Sequence, residues 1–171
     1  MKKIIIILFC IMQFAAYSTA QSVEYTVKAL LIEKFARFTN WETDITGEYF
    51  TIAVLGKSPF KGELEKNIAK TIIKNKPVKI SYIKDMSECL DCNLVFVCAS
   101  EKNKLPMVLS TLNTKPVLVI SDSFGFTKKG VHMNFYFDSE GQVKYEINPK
   151  ALEKSNLSVN MQLLKFGKIV N

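Results

Sequence analysis

Four short apolar runs constrain this chain more than any other feature. Residues 50–55 (Phe-Thr-Ile-Ala-Val-Leu), 77–83, 94–98 and 117–120 are rich in β-branched side chains and too short for ordinary helices. Segments with helical spacing separate them. Phe60, Leu64 and Ile68 follow Ser58-Pro59 at i, i+4 and i+8, with Ser58 as the expected cap and Pro59 in the first turn. Leu105, Val108, Leu109 and Leu112 lie within residues 104–113, where Pro106 sits near the start. Continuous apolar runs alternating with helices are how parallel strands buried on both faces read.

The two ends of the chain read differently. Residues 24–39 predict an amphipathic helix whose core face carries Val27, Leu30, Leu31, Phe35 and Phe38. Trp41 is expected to cover its end. In the last third, Val131, Met133, Phe135 and Phe137 alternate with polar or aromatic residues, and Val143, Tyr145 and Ile147 alternate again after Asp138-Ser139-Glu140-Gly141. That pattern predicts an antiparallel hairpin with one buried face. Helices are expected over 149–154 and 158–170. The whole reads as a single α/β domain, a mostly parallel central sheet flanked by helices with a C-terminal antiparallel hairpin.

Residues 1–20 form a separate object. Met1-Lys2-Lys3 is a positive start, Ile4 to Met12 an apolar centre, and Ser18-Thr19-Ala20 a small-residue exit. These predict a secretory signal cleaved after Ala20, with residues 21–171 as the exported, periplasmic domain. A lipoprotein signal would use Cys10, but bulky Phe9 precedes it. Without residues 1–20 the net charge falls by two, from +7 to +5. The remaining lysines are scattered, with no dense cluster interleaved with aromatics, so nucleic-acid binding is not expected.

Export also decides how the cysteines read. Cys89, Cys92 and Cys98 remain, and an odd count in an oxidising compartment suggests one bridge and one buried thiol. Cys92 and Cys98 on one regular strand would lie roughly 20 Å apart, far beyond the roughly 7 Å a disulfide spans. Cys89 and Cys92 can pair if Leu90-Asp91 turns. Alternatively Cys92 is a buried apolar thiol opening the strand, with Cys89 free. No metal site is expected, because only Cys98 and His132 could complete a zinc tetrad.

No catalytic motif is present. Gly56-Lys57-Ser58 resembles the end of a phosphate-binding loop, but Thr51 occupies the position of its first glycine. His132, the single histidine, is expected on the outer face of the hairpin as a partly exposed structural side chain. One constellation points to a ligand. In an open parallel sheet the crevice lies at the carboxyl ends of the strands. Those ends carry Gly56, Lys57, Ser58, Ser100, Ser121 and Asp122; ordinary caps and turns are the expected reading, and a binding site for a small anion or nucleotide is the alternative.

Several segments together resemble the YfiR-like periplasmic proteins. Glu24-Tyr25-Thr26-Val27-Lys28-Ala29, Phe35-Ala36-Arg37-Phe38 and Trp41 are similar to that family's opening. Cys92-Asn93-Leu94-Val95-Phe96-Val97 resembles its cysteine-led central strand. Val119-Ile120-Ser121-Asp122, Gly130, Asn134-Phe135, Tyr145-Glu146-Ile147-Asn148 and Leu163-Leu164-Lys165 resemble its closing pattern. Glu42 departs from it where a proline usually follows the tryptophan, as does Val131 at the second glycine of a Gly-Gly pair. The resemblance implies a non-catalytic, cofactor-free regulatory domain, often a homodimer. It also implies its partners: the periplasmic part of a membrane signalling protein, such as a diguanylate cyclase or kinase, and an outer-membrane lipoprotein that sequesters the regulator.

Overall fold

The computed structural model describes residues 23–89 and 91–170. The secretory signal expected over residues 1–20 lies outside them. A helix over residues 23–38, α1, opens the described chain, and ten strands and four further helices follow. Eight of the strands form one sheet in the order β10-β8-β7-β6-β5-β2-β4-β3. Its centre is parallel: β4 (Lys76–Ile83), β2 (Phe50–Leu55), β5 (Leu94–Val97), β6 (Leu118–Ser121) and β7 (Met133–Phe137) all run the same way. The expected hairpin is present, with β8 (Val143–Ile147) antiparallel to β7 and Phe135 opposite Tyr145.

The continuous apolar runs have the predicted cause. Ile52, Val54, Leu94, Phe96, Leu118 and Ile120 point into one buried cluster, while Ala53, Leu55, Val95, Val97 and Val119 point into another. The first face is covered by α1 and by α2 (Glu63–Ile68), the second by α3 (Leu105–Thr111). Phe35 of α1 lies at the centre of the first cluster. Its ring stacks on Phe135 at 5.5 Å and meets Tyr145 edge-on at 4.8 Å.

The helix α1 buries a different face from the one its apolar spacing suggests. Ala29, Ile32, Phe35 and Ala36 are fully buried, whereas Val27 and Leu30 are 37% and 41% exposed. Apolar residues lie all round this helix, so periodicity alone does not choose the face. Buried Lys28 does, through a carboxylate partner on the sheet.

Three further expectations are corrected. The second helix begins only after Gly62, whose φ of 88° needs a residue without a Cβ, and Ser58 instead accepts from the Phe60 amide at 3.3 Å. Before β4 comes a short strand, β3 (Ile72–Ile73), joined to it by Lys74 and Asn75 at φ of 50° and 63°. Positive φ at both residues of a two-residue loop matches the twist of the strands. The single helix expected over 158–170 is instead β9 (Leu157–Val159), α5 (Met161–Phe166) and β10 (Lys168–Ile169), after α4 (Pro149–Lys154). Val159 pairs with Thr39 of β1 (Thr39–Trp41), and Asn160 accepts from the Gln162 amide. These bonds fix the start of α5. Gly167 then passes so close to Tyr145 that an added Cβ would lie 2.6 Å from the ring.

Truncating Phe35 removes the ring on which the hairpin sits. Phe35→Ala is expected to lower unfolding free energy by about 3–5 kcal/mol, measured by urea denaturation. A change below about 1 kcal/mol would show that α1 does not anchor the sheet.

Candidate functional site

The parallel strands end on a row of polar residues, as the sequence suggests, but those residues are engaged with one another. At β2, Gly56 has a φ of 96°, and a Cβ there would lie 2.4 Å from Glu101 Cγ and 2.5 Å from Ser100 Oγ. The Lys57 amide donates to Ser100 Oγ at 2.9 Å, and Ser100 Oγ donates to Glu101 at 3.1 Å. Ser58 accepts from the Phe60 amide in its own turn and meets the Tyr82 hydroxyl on β4. At β6, Ser121 Oγ donates to the Val97 carbonyl at 2.9 Å. Five of the six candidate residues therefore fall in two groups, Gly56–Lys57–Ser100 and Ser121–Asp122, and Ser58 lies outside both.

Asp122 sits in a buried ionic cluster that sequence reasoning missed. Lys28, only 3% exposed, reaches from α1 to Asp122 Oδ2 at 2.9 Å and to Glu24 one turn earlier on its own helix. Tyr25 Oη donates to the same Asp122 oxygen at 3.0 Å. Burial, reinforced by the Asp122 charge, raises the Tyr25 phenol well above its usual range. The Lys28 ammonium also lies 4.4 Å from the centre of the Tyr25 ring and 5.6 Å from that of Phe137. A cation so buried needs several partners, and here carboxylates and ring faces supply them. The signal was available as Glu24–Lys28 spacing, but an i,i+4 pair ordinarily marks a solvated face.

His132 is not on an outer face. It is 2% exposed, and both ring nitrogens are occupied. Nδ1 accepts from the Val119 amide at 2.9 Å, which leaves the proton on Nε2, 3.2 Å from Ser155 Oγ. Burial pushes its pKa down to about 4. A neutral imidazole with both nitrogens committed is a structural bracket between β6 and the end of α4.

The three described cysteines, Cys89, Cys92 and Cys98, are buried free thiols. Cys92 Sγ donates to the Cys89 carbonyl at 3.2 Å, so the expected Cys89–Cys92 bridge is absent from this structure. Hydrogen bonding to Cys89 and burial push the Cys92 thiol up, and burial pushes Cys98 up to about 12. Cys98 packs in the cluster beneath α1 as an apolar side chain.

Open space lies at the opposite end of the sheet. One cavity of about 410 Å³ is bordered by Val119, His132 and Asn148, beside the starts of β6 and β7 and the end of β8. Another of about 380 Å³ adjoins Trp41, Cys92 and Pro116, before β5 and β6. Trp41 is half-buried rather than fully covered, and its Nε1 donates to the Pro116 carbonyl at 2.8 Å. Among the described residues no three His, Cys, Asp or Glu side chains gather as a metal site would require. No described helix is long and apolar enough to cross a membrane.

Two measurements test these assignments. His132 is neutral in the folded chain while the unfolded chain takes up its proton below pH 6.5, so stability is present above that pH and is lost towards pH 4. The loss attributable to this group is about 3 kcal/mol. His132→Asn keeps an acceptor for Val119 and should flatten that part of a pH series of urea midpoints; an unchanged slope would contradict the assignment. For the ionic cluster, Lys28→Met or Asp122→Asn alone should each destabilise by about 3 kcal/mol, because a buried charge loses its partner. The double variant should cost clearly less than their sum, and strict additivity would show that the pair is not coupled.

Comparison with known proteins places this fold. No curated protein sequence matches the chain. Among solved structures, a conserved domain protein from Vibrio cholerae superposes with a TM-score of 0.59 at 10% identity, covering 86% of this chain and 60% of that one. A Streptococcus pneumonia structure, described as an ABC domain in complex with L-Trp, gives 0.56 at 13% identity with the same coverages. The chain thus spans about 60% of the length of those two proteins, and such distant likeness establishes the fold alone. The family profile of DUF4154, described as YfiR/HmsC-like, matches residues 25–168, from the first turn of α1 to the first residue of β10. The chain belongs to the YfiR/HmsC-like family.

Proposed function

We propose that this protein is an exported, non-catalytic regulator that controls a membrane signalling protein by binding its periplasmic part. The partner would be a diguanylate cyclase or a kinase, with an outer-membrane lipoprotein as a second, sequestering partner. The observation that carries this reading is the family match across residues 25–168, which leaves almost none of the described chain for another activity. The state of His132 supports it, since an imidazole held at both nitrogens is not free to serve as a general base.

The surface supports it as well. Val23, Val27 and Leu30 occupy successive turns on the outer side of α1 at 64%, 37% and 41% exposure. Phe124, in the loop after β6, is fully exposed. Apolar residues collected on one helix face are the kind of surface that a protein partner buries.

Tagged full-length chain should be purified from detergent-solubilised membranes of its own cells and the co-purifying proteins identified. A membrane protein with a periplasmic domain is the expected partner. Val27→Glu with Leu30→Glu should abolish its recovery while leaving the unfolding temperature close to wild type. Recovery of cytosolic proteins alone would contradict the proposal.

A further inference from the structure

The cavity beside His132 differs from the rest of the surface in its charge. Its rim carries Lys128, Lys129, Lys150 and Lys154, and no carboxylate lines it. Five lysines elsewhere, Lys28, Lys66, Lys104, Lys144 and Lys168, each form an ion pair; what sets this rim apart is that its four lysines share one concavity. Among the described residues Lys128, Lys150 and Lys154 make no such pair, and Lys129 lies over the Phe126 ring at 5.3 Å. Four ammonium groups around one concavity repel one another, and a low-dielectric floor focuses their field outwards. An anion seated among them would relieve that repulsion.

The floor defines the rest of the ligand. Leu109, Leu112, Val119 and Ala151 supply aliphatic surface. The buried polar groups between them are already engaged within the chain. His132 is bonded at both nitrogens, and the Asn148 side chain donates to the Thr127 carbonyl while accepting from the Ala151 amide. A polar ligand body would find few partners among these groups and would lose its hydration against the aliphatic surface. An apolar body would not. The volume of about 410 Å³ lies within the ordinary range for small-molecule sites.

We propose that this cavity, at the amino ends of the central strands, binds a small amphipathic anion: one phosphate or carboxylate head held by the rim lysines on a compact apolar body resting on the floor. The site is separate from the exposed face of α1 and from the carboxyl-end residues around Gly56 and Asp122. It does not depend on the partner named above.

The experiment is calorimetric titration of the full chain at low ionic strength with phenyl phosphate. Inorganic phosphate supplies the head alone and benzyl alcohol the body alone. Phenyl phosphate should bind one to one, at least about tenfold more tightly than either fragment, and should shift the amide resonances of Gly130 and Ala151. Lys128→Ala, Lys150→Ala and Lys154→Ala together should weaken it by about tenfold or more. Lys34→Ala, Lys70→Ala and Lys102→Ala, which remove the same net charge elsewhere, should not. Ala151→Leu, which keeps a good helix former while filling the floor, should weaken binding in a chain that still unfolds cooperatively. The proposal is overturned if phenyl phosphate shows no one-to-one binding, if inorganic phosphate binds as tightly, or if both triple variants weaken binding alike.

Discussion

A parallel sheet has two faces to keep from water, and here α1, with α2 beside it, covers one of them. Phe35 of α1 is wedged between Phe135 and Tyr145, so it holds the hairpin as well as the sheet centre. Lys28 fixes the rotation of the same helix by reaching Asp122 at the end of β6. Hydrophobic burial is non-directional, whereas the ion pair has a direction. Together they explain why α1 turns Ala29 and Ile32 inward and leaves Val27 and Leu30 in solvent. The exposed apolar stripe follows from the way the core is locked.

That division also explains what the sequence made legible. The four central strands and the hairpin could be read because every residue of a doubly buried strand must be apolar, and Phe50 to Leu55 obeys that rule without exception apart from Thr51. The face of α1 could not be read, because its choice rests on a contact 94 residues away in sequence. The segment after Leu157 was misread for a related reason. Val159, Leu163, Phe166 and Val170 have helical spacing, but pairing of Val159 with Thr39 and of Ile169 with Ile147 overrides it. His132 was misplaced because its burial depends on Ser155, whose position no local pattern announces. The candidate ligand residues do lie at the carboxyl ends of the strands, but the sequence could not show that Ser100 and Glu101 would close over Gly56.

The sheet therefore separates two kinds of chemistry. At its carboxyl ends charges are matched: Lys28, buried, with Asp122 and Glu24, and Lys104, exposed, with Glu101 on the neighbouring turn. At its amino ends, between α3 and α4, the polar groups of the floor are satisfied internally and the rim is left positive. Doubly wound sheets ordinarily keep their carboxyl ends open for ligands. In this chain Lys28 and Tyr25 of α1 close on Asp122 at that end, and the cavities of about 410 and 380 Å³ lie at the other.

The order of elements along the chain has a kinetic consequence. α1 is the first described element, yet the aromatic residues it covers lie about a hundred residues later, in the hairpin. The sheet edge beyond that hairpin is closed by β10, the last strand of all. Contacts of such long sequence separation must overcome loop-closure entropy before they stabilise anything. A chain delivered amino end first would hold α1 without its partner surface until nearly all the rest had followed. Collapse of the central strands can precede that moment, but the native face of the sheet forms late, and the interval is one in which a helper protein or a competing apolar surface has the most time to act.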